Sequence, residues 1–130
     1  MSTDPQAVPK YAPLPGLEFA FEVRLRFTRV QNIASMPTGA GRGAVYVDSG
    51  EFSGPDIRGK AVPNSGGDYA LFRPDGVLQF DARYMLQEVD GTLILMQNRG
   101  YLWGRNTDTM QKLRAMAFAG GPTEIGRAHV

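Results

Sequence analysis

From Leu17 to Phe27 apolar and polar residues alternate without a break. Leu17, Phe19, Phe21, Val23, Leu25 and Phe27 face Glu18, Ala20, Glu22, Arg24 and Arg26. A period of two belongs to a strand with one face buried and the other in water. The segment is therefore expected to be one long strand burying Phe19, Phe21, Val23 and Leu25, its Glu/Arg side a charged exterior tied by cross-strand pairs. A second patterned region, Gly66 to Tyr101, reads as three antiparallel strands joined at Asp75-Gly76 and Asp90-Gly91, because Asp-Gly between alternating segments is a strong hairpin signal. Between these regions Gln31–Gly43 reads as a loop, Ala44–Asp48 as a strand and Asp48–Gly50 as a turn. Glu51–Gly54 follows as a short strand or bulge, Pro55-Asp56 as a turn, Ile57–Val62 as a strand and Pro63–Gly67 as a flexible connection. Glycines at 39, 41 and 43 beside Arg42 have the spacing of a phosphate cradle, but such a loop should open a helix. A Val- and Tyr-rich strand follows instead, so a loop at a barrel mouth is the better reading.

After Tyr101 the period lengthens. Asn106 or Thr107 can cap a helix with Asp108 in its first turn. Met110, Leu113 and Ala117, with Met116 beside them, form one apolar stripe, and Gly120-Gly121 stops it. A helix from about Thr107 to Phe118 is predicted, its methionines serving as packing residues. Strands linked mostly by hairpin-length turns indicate an all-β antiparallel sandwich or barrel with one short helix. A closed barrel with room for a ligand takes about eight strands, and the pattern supplies about six or seven. The expected organisation is a Pro-rich arm over residues 1–16 (Pro5, Pro9, Pro13 and Pro15), one barrel domain over 17–123, and a tail over 124–130.

Composition narrows the function classes. With 14 basic and 13 acidic side chains the net charge is +1, which leaves no electrostatic footprint for nucleic acid or an anionic membrane. No apolar run approaches the ~20 residues of a membrane span, and the start lacks a secretory pattern; a soluble, cytoplasmic protein is the default expectation. The chain has no cysteine and one histidine, His129, in its last residues. Ser-His-Asp, Cys-His and His-rich zinc arrangements are therefore not expected. Asp48, Glu51 and Asp56 lack a regular ligand loop, so neither a metal nor a cofactor is expected.

The remaining chemistry lies in the hairpins. A two-residue turn at Asp90-Gly91 would set Arg83 opposite Asn98, Met85 opposite Met96 and Gln87 opposite Ile94, with Val77, Gln79 and Asp81 continuing that face. The other face would carry Leu78, Phe80, Ala82, Tyr84 and Leu86, with Gln97, Arg99 and Tyr101 beyond. Either the first face is solvent and the second core, or Arg83 and Asn98 line a mixed polar and apolar cavity. The first hairpin is open in register. A two-residue turn pairs Asp68 with Arg83, and a three-residue Pro74-Asp75-Gly76 loop with a bulge pairs it with Ala82 and reverses its face.

Gly50-x-Phe52-x-Gly54-Pro55, Gly66-Gly67-Asp68-Tyr69, Asp75-Gly76, Asp81-Ala82-Arg83-Tyr84, Asp90-Gly91 and Asn98-Arg99-Gly100, in that order, resemble the domain of unknown function 3237 family, also called uncharacterised protein family 0311. The resemblance covers Leu17 to about Ala119. It implies a lipocalin-like antiparallel barrel with a small-molecule cavity. Most members have no assigned activity, and some fungal relatives look like cofactor-free cyclases of polyketide-derived aromatics. It further implies closing strands after the helix, and this chain is expected to stop short of them. Its last seven residues match the translation of a common sequencing adapter, so the ending reads as non-native and is expected to pack against nothing; a natural short tail is the alternative.

Three functions compete. The first is a small-molecule-binding barrel for an organic ligand with an apolar or aromatic body and an acceptor group. Arg83 would orient the acceptor oxygen and Asn98 would hydrogen-bond it, with Tyr84 or Tyr101 stacking or donating and Asp81 on the same face. The second is a cofactor-independent isomerase or cyclase in which a buried Asp68 is the general base and Arg83 stabilises an enolate-like charge. The third is a structural domain that self-associates through sheet edges.

Overall fold

Hairpin-length turns between patterned segments fold the chain into one continuous antiparallel sheet. The computed structural model describes residues 11–119 and 127–129. Among them are β1 (Glu22–Ile33), β2 (Gly41–Ser53), β3 (Arg58–Ala61), β4 (Gly67–Phe72), β5 (Leu78–Glu88), β6 (Leu93–Leu102), α1 (Thr107–Ala119) and β7 (Arg127–His129). β1 flanks β2, and β6 flanks β5. The short strands β4 and β3 each pair with both β2 and β5, so they bridge the two long strands one after the other. No helix of the described residues is long and apolar enough to cross a membrane.

The period-two segment forms a strand, but in a shifted window. Leu17 and Phe19 are exposed, Phe21 is half-buried, and the ladder begins at Glu22. The cause lies in the partner. β2 ends at Ser53, opposite Glu22, and the chain then turns through Gly54, whose N–H donates to Ile57 O (2.7 Å), towards β3. Among the described residues, those before Glu22 therefore have no strand to pair with. At the other end β1 runs to Ile33, so the expected loop from Gln31 shrinks to Ala34–Ala40. The outer Glu/Arg face does pair as expected, with Arg26 holding Glu51 through two hydrogen bonds of 3.2 and 2.7 Å.

Asp48–Gly50 is a bulge and not a turn. Arg26 pairs with Ser49 but Phe27 pairs with Val47, which leaves Asp48 extra on β2; Phe27 to Val30 then spans only Val47 to Val45, a compensating excess on β1. Two opposed bulges bend the ribbon without losing register overall. They also change the inward parity of β1, from Val23, Leu25 and Phe27 to Val30 and Asn32.

Both Asp-Gly hairpins have three-residue loops. Arg73 N–H donates to Val77 O and Glu88 N–H to Thr92 O, with Gly76 (φ +88°) and Gly91 (φ +94°) in the left-handed region glycine favours. Asp75 Oδ1 and Asp90 Oδ1 each accept the N–H two residues on, the Asx-turn that makes Asp effective here.

Two apolar clusters close the sheet's concave side. One gathers Val23, Phe27, Val47, Phe52, Ala61, Tyr84, Leu86 and Met96; the other joins Phe72 and Leu78 to Met110 of α1. α1 starts where Asn106 Oδ1 accepts from the N–H (2.9 Å) and hydroxyl (2.8 Å) of Thr109. Met110 is buried and Leu113 half-buried against the second cluster, while the side chains of Met116 and Ala117 lie outside the described residues. β7 pairs Arg127–His129 with Glu22–Arg24. The expectation of an ending that packs against nothing is thus not met, since an open strand edge accepts any extended segment that supplies backbone partners. Residues 1–10, 120–126 and 130 lie outside the description, and with them most of the expected arm and tail.

Candidate functional site

The registers place the inward side chains in cross-strand rows. One row runs Val30, Val45, Asp68, Ala82, Asn98 through five strands. A neighbouring one runs Asn32, Gly43, Ala70 on β1, β2 and β4, with Phe80 and Gly100 paired on β5 and β6. These rows lie between the two apolar clusters and are rich in Gly and Ala, so they do not fill the space between them. The result is a cavity of about 320 Å³, lined by apolar side chains including Phe27, Phe72, Phe80 and Leu113, with Asn32, Asp68, Tyr84 and Asn98 as its polar groups. Where glycine stands in these rows a neighbour occupies the Cβ position. A Cβ on Gly43 would lie 2.7 Å from Asn32 Oδ1, and one on Gly100 would lie 2.7 Å from the Phe80 ring.

Asp68 enters because the first turn takes the three-residue form, which pairs it with Ala82. Between Asp68↔Ala82 and Leu71↔Gln79 the ladder lapses, and the Asp81 N–H donates to Asp68 Oδ1 (3.0 Å). Burial pushes the Asp68 carboxyl above its ordinary range, the Asp81 N–H opposes that rise, and the Asp81 charge adds to it. Tyr84 is 1% exposed. Its hydroxyl accepts a long bond from Asn98 Nδ2 (3.5 Å), and burial raises its pKa.

Arg83 and Asn98 do not share a face. The loop Val89-Asp90-Gly91 is one residue longer than a two-residue turn, so Asn98 pairs with Ala82 and Arg83 with Gln97. A one-residue change of register reverses every side chain of the strand. Arg83, Asp81 and Tyr101 therefore lie on the convex side with Gln97 and Arg99. Asp81 Oδ1 sits 3.5 Å from Arg99 Nε and 4.0 Å from Arg83 Nε. With its amide oxygen turned towards them, Gln97 accepts from Arg83 Nη2 (3.2 Å) and Arg99 Nη2 (3.1 Å). Tyr101 is 66% exposed. Of the six candidates, Asp68, Tyr84 and Asn98 line the cavity and the other three do not. Asn32 was missed by reading its segment as a loop; an Asn two residues after Val30, continuing the alternation past a bulge, was the available signal. Among the described residues no cluster of three or more acidic or histidine side chains is placed to hold a metal.

Solved structures share this architecture. A β-barrel-like protein from Acinetobacter baumannii AYE superposes with a TM-score of 0.68 at 27% identity, covering 82% of this chain and 68% of the other. A protein of unknown function from Clostridium acetobutylicum gives 0.68 at 26% identity, covering 75% and 63%. A protein of uncharacterised family 0311 from Rhodopseudomonas palustris strain TIE-1 is 29% identical over 102 residues, and one from Bradyrhizobium diazoefficiens 26% over 103. The alignments take in 77% and 78% of this chain but only 65% and 64% of those relatives, so the chain spans under two thirds of their length. The family profile described as "Protein of unknown function (DUF3237)" matches residues 15–130, and the chain belongs to that family.

Proposed function

We propose that this chain binds a small, largely apolar organic molecule in the cavity between its two apolar clusters. The observation that carries the reading is the cavity itself: about 320 Å³ of mostly apolar lining on which Asp68, Tyr84 and Asn98 converge. A void walled by hydrophobic side chains with a few placed polar groups is the usual construction of a small-ligand site. Arg83 and Tyr101, on the opposite face, have no part in it. The test is titration with N-phenyl-naphthylamine, an uncharged dye that fluoresces in apolar surroundings, alongside native mass spectrometry for a retained ligand. Saturable dye binding that is lost on filling the cavity at Ala82 supports the reading; dye binding indifferent to that substitution overturns it.

A second reading, cofactor-independent proton transfer, is favoured by one observation. Asp68 is a carboxylate inside the cavity, and burial raises its pKa above the ordinary carboxylate value, in the direction that makes it a stronger base. In this form Tyr84 and Asn98, not Arg83, are the groups close enough to steady a developing oxyanion. Solvent-deuterium exchange into a bound ketone that is abolished in Asp68→Asn would support it.

A further inference from the structure

We infer that the cavity is built for a lipophilic amine, bound as its ammonium ion against Asp68, and that it rejects carboxylates. The inference rests on the cavity-binding reading and adds the ligand's charge.

Three observations carry it. First, among the described residues no Arg, Lys or His lines the cavity. Arg24, Arg26, Arg42, Arg83 and Arg99 belong to the strands that build it, yet each takes an outward register and none is among the lining residues. An anionic ligand would enter without a counter-charge and meet a carboxylate.

Second, the one charged group inside is an acceptor, and Asn98 offers another, while the Tyr84 hydroxyl keeps its own O–H as a donor. Asp68 Oδ1 takes the Asp81 N–H, which leaves Oδ2 as the carboxylate's open oxygen. Asn98 donates its Nδ2 to the Tyr84 hydroxyl, and among the described residues its Oδ1 takes no hydrogen bond. Asp68 and Asn98 flank Ala82 in one row, so the smallest side chain lies between the two acceptors. An ammonium carries three donors, no acceptor and the charge that complements the Asp68 carboxylate. A hydroxyl can pair with the same groups but brings no charge to the Asp68 carboxylate.

Third, the walls include the rings of Phe27, Phe72, Phe80 and Tyr84, whose faces attract a desolvated cation. Among the described residues the half-buried Asp68 carboxylate has no cationic partner. Binding thus offsets a desolvation cost already present in the fold.

The test is calorimetric binding of three molecules with one apolar body: phenylbutylamine, phenylbutanol and phenylbutanoate. The amine is expected to bind about tenfold more tightly than the alcohol, with the carboxylate weakest. In Asp68→Asn the ratio of amine to alcohol affinity should fall at least about tenfold. A carboxylate that equals or beats the amine in the wild-type protein overturns the inference, and so does an amine preference that survives in Asp68→Asn. Should that variant fail to fold, the wild-type order decides alone. The uncharged dye separates the two levels. Dye bound in the cavity with the wrong charge order sinks this inference and spares the cavity reading, whereas dye binding unaffected by filling at Ala82 sinks both.

Discussion

Replacing Ala82 with Leu should make the protein more stable and less able to bind. Ala82 lies between Asp68 and Asn98 in the central row and faces a void of about 320 Å³. Leucine adds three carbons, each worth about 0.8 kcal/mol when buried, for a ceiling of about 2.4 kcal/mol. Ordering the new side chain costs roughly 0.5–1 kcal/mol, leaving a gain of about 1.5–2 kcal/mol. In a well-packed core the same substitution would cost about 1–3 kcal/mol through overpacking, so the sign of the effect reports whether the space exists. For a chain of this size the gain corresponds to a rise of roughly 5–10 °C in melting temperature. Differential scanning fluorimetry measures that shift, and dye titration of the same sample should show affinity weakened at least about tenfold, or about 1.4 kcal/mol. A lower melting temperature with dye binding intact would refute the reasoning, because Ala82 would then be packed and not facing a ligand space.

Other outcomes follow from the same geometry. Burial holds the Asp68 carboxyl above its usual range, so its stabilising share is complete below the unfolded value of about 3.9 and is lost as pH rises through the folded value. Asp81 and Tyr84 are its titratable neighbours, and urea midpoints of the wild-type protein should fall across that window relative to those of Asp68→Asn. Leu86→Ala removes a side chain with 0% exposure from the larger cluster and should cost about 2–5 kcal/mol by urea denaturation. Gly91→Ala forces a Cβ into φ +94° with no neighbour within 4 Å; the cost is conformational, about 1–2 kcal/mol, and appears as a lower melting temperature without loss of dye binding.

Much of the architecture was legible because turn chemistry is local. Asp75-Gly76 and Asp90-Gly91 located both hairpins, and the apolar stripe at Met110 and Leu113 with the Asn106 cap located α1. Face assignment was less legible, since it depends on loop length by a single residue. The Asp-Gly pair at 90–91 is compatible with a two- or a three-residue loop, and only the latter puts Asn98 inside and Arg83 outside. The bulges at Asp48 and at Thr28–Arg29 were hidden for a related reason: Asp-Ser-Gly has turn composition, and only pairing with β1 shows the strand continuing. The start of β1 was misplaced because alternation records which face is apolar, not whether a partner strand extends far enough to pair. Leu17 and Phe19 keep the pattern without the ladder.

The rows of small residues between the two apolar clusters carry an evolutionary consequence. Stability is concentrated at the ends, in side chains such as Leu86 and Phe52 below and Phe72 and Met110 above. What fits between them is set by small lining residues such as Gly43, Ala70 and Ala82, none of which belongs to the buried set of either cluster. At Gly43 a Cβ would meet Asn32 at 2.7 Å, so enlargement there must move a neighbour, whereas leucine at 82 would extend into the open chamber. A scaffold divided in this way can drift from one ligand to another by single steps. Selection for stability alone would favour filling such a space, so the opening at Ala82 is a feature the folded state itself does not require.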